Sequence, residues 1–334
     1  MDKCVACGSD RIKDEGKIEG YIQGKFYEIF SCLECKTKWS MPHSVDSIVY
    51  DYIYKNSEDT PGYMRYSQYA RDVVEYRNPL RFLASQEHVY YSTVSSLPKK
   101  GKILEVGCGL GYFTYALAKA GYDVLGIDVS DEAIKEAKER YGNYFLNEDF
   151  FTLDSSKGKY DAILMIELIE HVDNPQRYLE HAKSLLTEGG RVIVTTPNRS
   201  WYGDNVLWSS DLPPVHLTWF SESGLISLAK GVGYESKLVP FTAFNLLYGS
   251  VLAPSDTTNI NSPFFTSDGT PLFSKFTHSK MYFLTKKLGI YDLLKRLISI
   301  YHKMKEFLMI AIGKKKMSLR RSSCMCVVME IERS

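Results

Sequence analysis

The feature that most constrains the fold is a glycine-rich turn between an apolar run and a predicted helix. The run Lys102–Gly111 reads Lys-Ile-Leu-Glu-Val-Gly-Cys-Gly-Leu-Gly, and Tyr112–Lys119 follows with a helix-like composition. This order predicts a strand, a tight turn and a helix N-terminus. In a parallel α/β sheet, such a turn and the helix N-terminus that follows it bind a nucleotide-like ligand. The three glycines allow positive φ and a close approach of the backbone to that ligand. Asp128 closes the next apolar run, where its carboxylate can bind both hydroxyls of a ribose.

Strands and helices alternate beyond this turn, which predicts an α/β fold with a seven-stranded doubly wound sheet. We predict the strands at Ile103–Val106, Val124–Ile127, Tyr144–Asn147, Ala162–Ile166, Arg191–Thr195, Leu238–Phe244 and Cys324–Ile331. Helices are expected from Tyr112, from Asp131 and over Pro175–Leu186, with Gly189 and Gly190 ending the last of these. In such sheets, ligands bind at the carboxyl ends of the strands.

The segment Glu105–Gly111 resembles the first motif of the class I S-adenosylmethionine (SAM)-dependent methyltransferases. A dinucleotide fingerprint would need a third glycine at position 112, where Tyr112 stands. The resemblance continues through Asp128, through the Glu-Asp-Phe sequence at 148–150 and through a fourth strand over 160–166. It implies a Rossmann-like fold that binds SAM through these motifs. The implied SAM-binding residues are Glu105, Gly107, Gly109, Gly111, Asp128, Val129, Asp149, Phe150 and Ile166.

An acid-rich stretch follows the fourth strand, at the end of the sheet where a methyl acceptor should sit. It resembles the Glu-x-x-Glu-His motif with which ubiquinone-biosynthesis O-methyltransferases and small-RNA 2′-O-methyltransferases bind a divalent cation. Glu167, Glu170 and His171 match that motif, whereas a further acidic ligand of the ubiquinone group falls on Asn174. A cation would lower the pKa of the acceptor hydroxyl. Alternatively, His171 acts as general base, or Glu170 and His171 only cap the turn.

The segment Leu212–Phe220 resembles the His-Leu-x-x-Phe segment of methyltransferases encoded with surface-polysaccharide genes, many of which also carry an N-terminal cysteine cluster. His216 is then a general base, a further ligand to a shared cation, or a histidine bonded to the loop backbone. Trp201, Tyr202 and Trp219 could form apolar and stacking walls for a small-molecule or glycan acceptor.

The resemblance implies O-methylation of a sugar or glycoconjugate hydroxyl, in a pathway of polysaccharide biosynthesis. Three alternatives remain open. They are C-methylation of a nucleotide-sugar, O-methylation of a quinone or other phenol, and a catalytically inactive zinc-ribbon binding module.

Four cysteines near the N-terminus form two C-x-x-C pairs, Cys4 with Cys7 and Cys32 with Cys35. Two such pairs predict a structural tetrahedral Zn²⁺ site in a zinc ribbon over residues 1–42, against disulfides or free thiols. Residues 1–42 carry seven Lys/Arg and seven Asp/Glu, so no nucleic-acid partner is expected. The ribbon could also form one wall of the acceptor site or a dimer contact.

The remaining segments are assigned by composition. Residues 43–98 are a tyrosine-rich helical linker with one helix over Leu80–Leu97. The resemblance implies that this segment covers the SAM pocket as a lid; alternatively, its aromatic side chains simply pack on the sheet. The core spans 99–249 and its final strand 322–334. Between them, 250–321 is an insertion that begins with a loop over Ser255–Thr277 and carries a basic amphipathic helix. Residues 280–316 are expected to contact a membrane surface, to form a homodimer, or simply to pack their apolar stripe on a neighbouring element with the lysines solvated. No secretory signal is visible, so we expect a cytoplasmic enzyme, peripherally membrane-associated if this helix binds lipid.

Overall fold

Three short strands form an antiparallel sheet near the N-terminus. The computed structural model describes residues 3–154, 158–202, 211–253, 263–274, 284–285, 287–288 and 290–332. The strands are β1 (Ile12–Glu19), β2 (Phe26–Cys32) and β3 (Lys38–Met41), with β2 in the centre. Residues 3–42, which contain these strands and the four cysteines, are called the ribbon below.

Four helices connect the ribbon to the large sheet. They are α1 (Ser47–Lys55), α2 (Met64–Asp72), α3 (Pro79–Ala84) and α4 (His88–Ser96). The single helix predicted over Leu80–Leu97 is therefore wrong, because the chain leaves the helical conformation between α3 and α4. Glu87 is extended there, and its carboxylate accepts a hydrogen bond from the Tyr69 hydroxyl at 2.8 Å and pairs with Arg65 at 2.9 Å.

Within the described residues, the large sheet has seven strands in the order β10-β11-β8-β7-β4-β5-β6, and of these only β11 runs antiparallel to its neighbours. The predicted seven-stranded Rossmann-like fold is confirmed. Its first strands and helices are β4 (Lys102–Val106), α5 (Tyr112–Lys119), β5 (Asp123–Asp128), α6 (Asp131–Tyr141), β6 (Phe145–Asn147), β7 (Tyr160–Ile166), α7 (Pro175–Leu185) and β8 (Leu186–Pro197). The later ones are β9 (Thr218–Trp219), α8 (Glu222–Val232), β10 (Tyr234–Leu238), α9 (Thr242–Leu247), α10 (Tyr291–Ala311) and β11 (Cys324–Ile331).

Two boundaries differ from the sequence prediction. The sixth strand was expected at Leu238–Phe244, but β10 ends at Leu238 and a helix follows. Pro240 has no N–H to donate to the neighbouring strand, so the pairing with β11 stops before it. Gly189 and Gly190 do not end a helix either, because they lie inside β8 beside the register shift between β7 and β8. A Cβ on Gly190 would meet the Tyr160 carbonyl oxygen at 3.0 Å.

The ribbon and the large domain share a sheet. Strand β9 pairs antiparallel with β3, through Lys38 with Trp219 and Trp39 with Thr218. Trp219 is buried against Tyr27 of the ribbon, which fixes β9 from its other face. The chain that leads into β9 is therefore held by the ribbon, and this chain carries His216.

The insertion between β10 and β11 is only partly within the described residues. Residues 254–262 and 275–283, which include much of the predicted loop Ser255–Thr277, lie outside them. In the described part, Phe264 and Phe265 are buried against Tyr21 and Ile22 of the ribbon. Among the described residues, no helix combines the length and the apolar character needed to cross a bilayer.

Candidate active site

A cavity of about 710 Å³ opens at the carboxyl edge of the large sheet. Its walls come from the ends of β4, β5 and β7 and from the segment that carries α1 and α2. This volume is in the range of sites that enclose a small molecule. The implied SAM-binding residues on the wall are Glu105, Gly107, Gly109, Asp128, Val129, Phe150 and Ile166.

The glycine-rich turn is fixed by Asp128. One carboxylate oxygen of Asp128 accepts a hydrogen bond from the Gly109 N–H at 2.8 Å, and the other accepts from the Ser130 N–H at 2.9 Å. Gly109 has φ +49°, and a Cβ built on it would meet no atom within 4 Å. Space next to the backbone is therefore open on the side where a ligand would approach.

Two of the implied SAM-binding residues have other surroundings. Gly111 is not on the cavity wall; it has φ +73°, and a Cβ there would lie 2.6 Å from the Phe145 ring. Asp149 is also absent from the wall, and its carboxylate accepts the Phe151 N–H at 2.8 Å to cap a short turn. The neighbouring Glu148 lines the cavity instead. Glycine at position 111 is thus explained by packing.

Burial perturbs both acids near the turn. Glu105 is buried and accepts a hydrogen bond from the Thr114 hydroxyl, and burial raises the pKa of its carboxyl to about 8. Burial also raises the pKa of Asp128 above its ordinary value, although backbone N–H donors oppose this. Both acids reach the same cavity wall, so they can contact different parts of one ligand.

The acceptor end of the cavity brings together three residues from two separate loops. Glu170, His171 and His216 each present a ligand atom within 4.8 Å of the other two. The two imidazole rings lie 4.6 Å apart and nearly perpendicular. The backbone carbonyl of Glu170 accepts hydrogen bonds from the N–H groups of Leu217 at 2.8 Å and Thr218 at 3.2 Å, which joins the two loops. The resulting group includes His216, for which one of the alternatives from the sequence is a further ligand to a shared cation.

The polar atoms of this group are buried and largely unpaired. Among the described residues, neither carboxylate oxygen of Glu170 nor Nδ1 of His216 has a hydrogen-bond partner. Burial raises the pKa of Glu170 well above its usual range and lowers the pKa of each histidine to about 3. His171 donates from Nδ1 to the Val215 carbonyl at 2.7 Å, which directs its Nε2 toward the cluster. Unpaired buried acceptors of this kind call for a ligand.

Glu167 lies beside the group without belonging to it. It was expected to form the ligand set with Glu170 and His171, whereas the three-residue group contains His216 in its place. Glu167 has φ +49°, an uncommon conformation for a residue with a Cβ. Its carboxyl lines the same cavity, and burial raises its pKa to about 8.

Several cavity residues carry no motif that sequence reasoning could use. Tyr50 places its hydroxyl 3.1 Å from Nδ1 of His171, and Tyr63, Arg65 and Tyr66 cover the cavity from α2 and the residue before it. Asp211 lines the cavity near His216, with 3.9 Å between its Oδ1 and the imidazole Nδ1. The tyrosine-rich composition of 43–98 was the available signal, and it identified a segment rather than residues.

The expected aromatic walls lie elsewhere. Trp219 is buried in the ribbon contact and donates from Nε1 to the Asp211 carbonyl at 3.0 Å. Trp201 and Tyr202 are half-buried and are not on the cavity wall. Residues 203–205 of the same loop fall outside the described residues. Half of the Phe and Tyr rings on the cavity wall come from residues 43–98, as Tyr50, Tyr63 and Tyr66 do, and the other half come from the large domain.

The four ribbon cysteines form a second cluster. Each offers a sulfur within 4.8 Å of the other three. The Sγ atoms of Cys4 and Cys35 lie 3.6 Å apart, and those of Cys7 and Cys32 lie 3.5 Å apart. Both separations exceed the ~2.05 Å of a disulfide. They are close to the roughly 3.8 Å between sulfurs around a tetrahedral ion with Zn–S of about 2.3 Å.

Comparisons with known proteins find similarity to methyltransferases over part of the chain. Residues 75–237 match the family model described as a methyltransferase domain. The Coxiella burnetii ubiquinone biosynthesis O-methyltransferase is 34% identical over 152 residues, covering 39% of this chain and 65% of that protein. The Methylococcus capsulatus protein of the same name is 36% identical over 129 residues, covering 37% and 52%. The chain thus spans less than two thirds of the length of these curated relatives.

Solved structures of similar proteins were also found. One is a Thermotoga maritima SAM-dependent methyltransferase, described as a possible histamine N-methyltransferase. It is 18% identical, with a TM-score of 0.42, and the match covers 79% of this chain and 98% of that one.

Proposed function

Because the chain carries a class I SAM-dependent methyltransferase domain, we propose that it O-methylates a hydroxyl of a sugar or glycoconjugate intermediate. The observation that carries this proposal is the shared cavity. One wall holds the glycine-rich turn with Asp128, and another holds Glu170, His171 and His216. A methyl donor and a hydroxyl acceptor can therefore meet in one enclosed space.

The donor side fits SAM. Asp128 is fixed by the Gly109 and Ser130 N–H groups, and the open space beside Gly109 accommodates a ligand against the backbone. When bound, SAM supplies an activated methyl group. The residues of this chain then have two tasks, to orient the acceptor oxygen and to accept its proton.

The acceptor side fits a divalent cation. Glu170 offers two unpaired carboxylate oxygens, and the buried histidines are neutral, the form in which imidazole binds metal. His171 has its other ring nitrogen held by a backbone carbonyl, as ligating histidines usually do. A cation there would lower the pKa of the acceptor hydroxyl. Without one, His216 or His171 would accept the proton directly.

The ribbon fits a structural zinc ion. Four thiolates complete a tetrahedral shell and leave no open position for substrate, so this site would stabilise rather than catalyse. It would hold β3, and through β3 the chain that carries His216. No described residue of the ribbon lines the cavity, so the ribbon would support the acceptor side through β3.

A phenolic acceptor is the second candidate. It is favoured by the names of the curated relatives, which are ubiquinone biosynthesis O-methyltransferases. Both candidates present a hydroxyl to the same residues. A panel of sugars, nucleotide-sugars and catechols, assayed for S-adenosylhomocysteine formation, shows which class of acceptor is methylated. Identification of the methylated product then distinguishes O-methylation from C-methylation.

The decisive experiment measures SAM binding and turnover in parallel. We expect the wild-type protein to lose turnover in EDTA and to regain it with Mg²⁺, Mn²⁺ or Zn²⁺. Glu170→Gln and His216→Ala should lower turnover by about 100-fold or more, the scale of a lost general base or ligand, with SAM affinity unchanged. His302→Ala, on α10, is the matched control and should behave as wild type. Absence of SAM binding would overturn the whole proposal. Full turnover in EDTA would exclude a role for a cation in catalysis. SAM binding without turnover on any acceptor would support an inactive binding module.

A further inference from the structure

Helix α10 turns apolar side chains toward solvent. Leu293, Leu297, Ile300, Tyr301, Met304 and Leu308 recur at helical spacing and form one face, called the apolar face below. All six are exposed, with Leu297, Tyr301 and Met304 at 53%, 63% and 68%. A helix on a globular protein normally turns such a face toward the core.

The polar side of α10 faces the protein instead. Lys303 donates from Nζ to the carbonyl oxygens of Asn245, at 2.5 Å, and Gly249. Glu306 accepts the Val251 N–H at 3.1 Å. The side chains of Lys303 and Glu306 are only 17% and 18% exposed. At about 100° per residue, this pair lies roughly 140° around the helix from the centre of the apolar face. The apolar face is thus directed away from the contacts that hold the helix.

Charge selects the partner of this face. Residues 275–321 contain thirteen Lys/Arg and two Asp/Glu, a formal charge of +11. Lys314, Lys315 and Lys316 follow the helix and are exposed. Two copies of so basic a segment would repel each other, whereas anionic lipid headgroups attract it. An apolar helix face next to exposed lysines is the pattern of a helix that lies in the plane of a membrane surface.

The place of α10 in the fold agrees with this orientation. The insertion leaves the large sheet after Leu238 and returns at Cys324, which pairs with Pro197 at the carboxyl end of β8. Both points lie on the edge of the sheet where the cavity opens. Helix α10 also lies outside residues 75–237, so the matched methyltransferase domain does not include it.

We infer that α10 binds the surface of anionic membranes, with its apolar face in the lipid and the following lysines at the headgroups. This inference is independent of the acceptor proposed above. It assigns a bilayer, rather than a second copy of the chain, as the partner of the apolar face.

Vesicle co-sedimentation of the full-length chain tests the inference without SAM or turnover. Wild-type protein should bind phosphatidylcholine vesicles containing about 30% phosphatidylglycerol, bind pure phosphatidylcholine far less, and dissociate in about 0.5 M salt. The double variant Leu297→Glu, Met304→Glu should weaken binding at least tenfold with unchanged thermal stability, because both side chains are exposed. Leu272→Glu alters a leucine 46% exposed outside α10 and is the matched control.

A charge variant provides a second measurement. Lys314→Gln, Lys315→Gln and Lys316→Gln together should weaken vesicle binding by about tenfold or more and reduce its salt dependence. Two results would overturn the inference. One is wild-type protein that does not bind anionic vesicles. The other is a wild-type dimer in solution, together with a Leu297→Glu, Met304→Glu double variant that is monomeric but binds vesicles as well as wild type does.

Discussion

Replacing Ser221 with alanine should destabilise the protein by about 2–3 kcal/mol, because this buried hydroxyl serves two elements at once. As the N-cap of α8, it accepts the Gly224 N–H at 2.9 Å. It also donates to the carbonyl of Cys35, inside the second cysteine pair of the ribbon. The substitution therefore removes a helix cap and a direct bond between the ribbon and the large domain.

The magnitude follows from these two contacts. Loss of a serine N-cap costs about 1 kcal/mol. Loss of a buried hydrogen bond that leaves the Cys35 carbonyl with one donor fewer costs a further 1–2 kcal/mol. Ser130→Ala is the matched control, because Ser130 caps α6 through the Ala133 N–H at 3.2 Å and is far along the chain from the ribbon. It should lose only the cap, about 1 kcal/mol.

Urea unfolding of both variants, without SAM, measures the difference in the free energy of unfolding. Release of metal to a chromogenic chelator, measured on the same samples, should be faster for Ser221→Ala than for wild type and unchanged for Ser130→Ala. Equal losses of stability with identical release rates would show that the Ser221–Cys35 contact does not hold the ribbon in place.

Three further predictions concern the donor side of the cavity. Gly111→Ala should destabilise the fold by about 2–4 kcal/mol, because the new Cβ clashes with Phe145 and alanine is strained at this positive φ. Gly109→Ala has open space around it and should cost only about 1–2 kcal/mol, from the positive φ alone, in the same urea assay. Asp128→Asn should weaken SAM binding about tenfold or more through loss of a charged acceptor, as titration calorimetry would measure; unchanged affinity would contradict the placement of the donor. Because the pKa of Glu105 is raised to about 8 in the folded state, its contribution to stability is full below its ordinary pKa of about 4.5 and is lost as pH rises through 8. Between pH 5 and pH 8, the free energy of unfolding of Glu105→Gln should therefore fall less than that of wild type. An equal fall in both proteins would show that Glu105 does not cause the pH dependence.

The sheet could be predicted because its signals are local. Each apolar run ends at a turn residue or an acid, and α6 and α8 each begin with a capping serine followed by an acid in the first turn. The boundaries that were predicted wrongly depend on contacts between residues far apart in the sequence. The end of β10 depends on pairing with β11, more than eighty residues later, and on the missing N–H of Pro240.

The donor side of the site was predictable for the same reason, since one continuous motif carries Gly109 and a second short one carries Asp128. The acceptor side depends on two loops that the backbone of Glu170 joins to Leu217. Sequence offered His216 as one of several possibilities, and only the fold brings it to His171. Arg65 lies in the segment 43–98, for which the sequence indicates only a tyrosine-rich helical linker, so it is not singled out.

The pairing of β3 with β9 also shapes the order in which the nascent chain can fold. Trp39 leaves the ribosome about 180 residues before its partner Thr218, an interval of roughly 10–35 s at typical rates of bacterial and eukaryotic synthesis. During that time β3 is an open sheet edge, the kind of surface that pairs with other chains. Lys38 on this strand and Pro42 directly after it are residues that discourage such pairing. The ribbon can gather its four thiols once Cys35 has been made, but its sheet is complete only after Thr218 and Trp219 have followed.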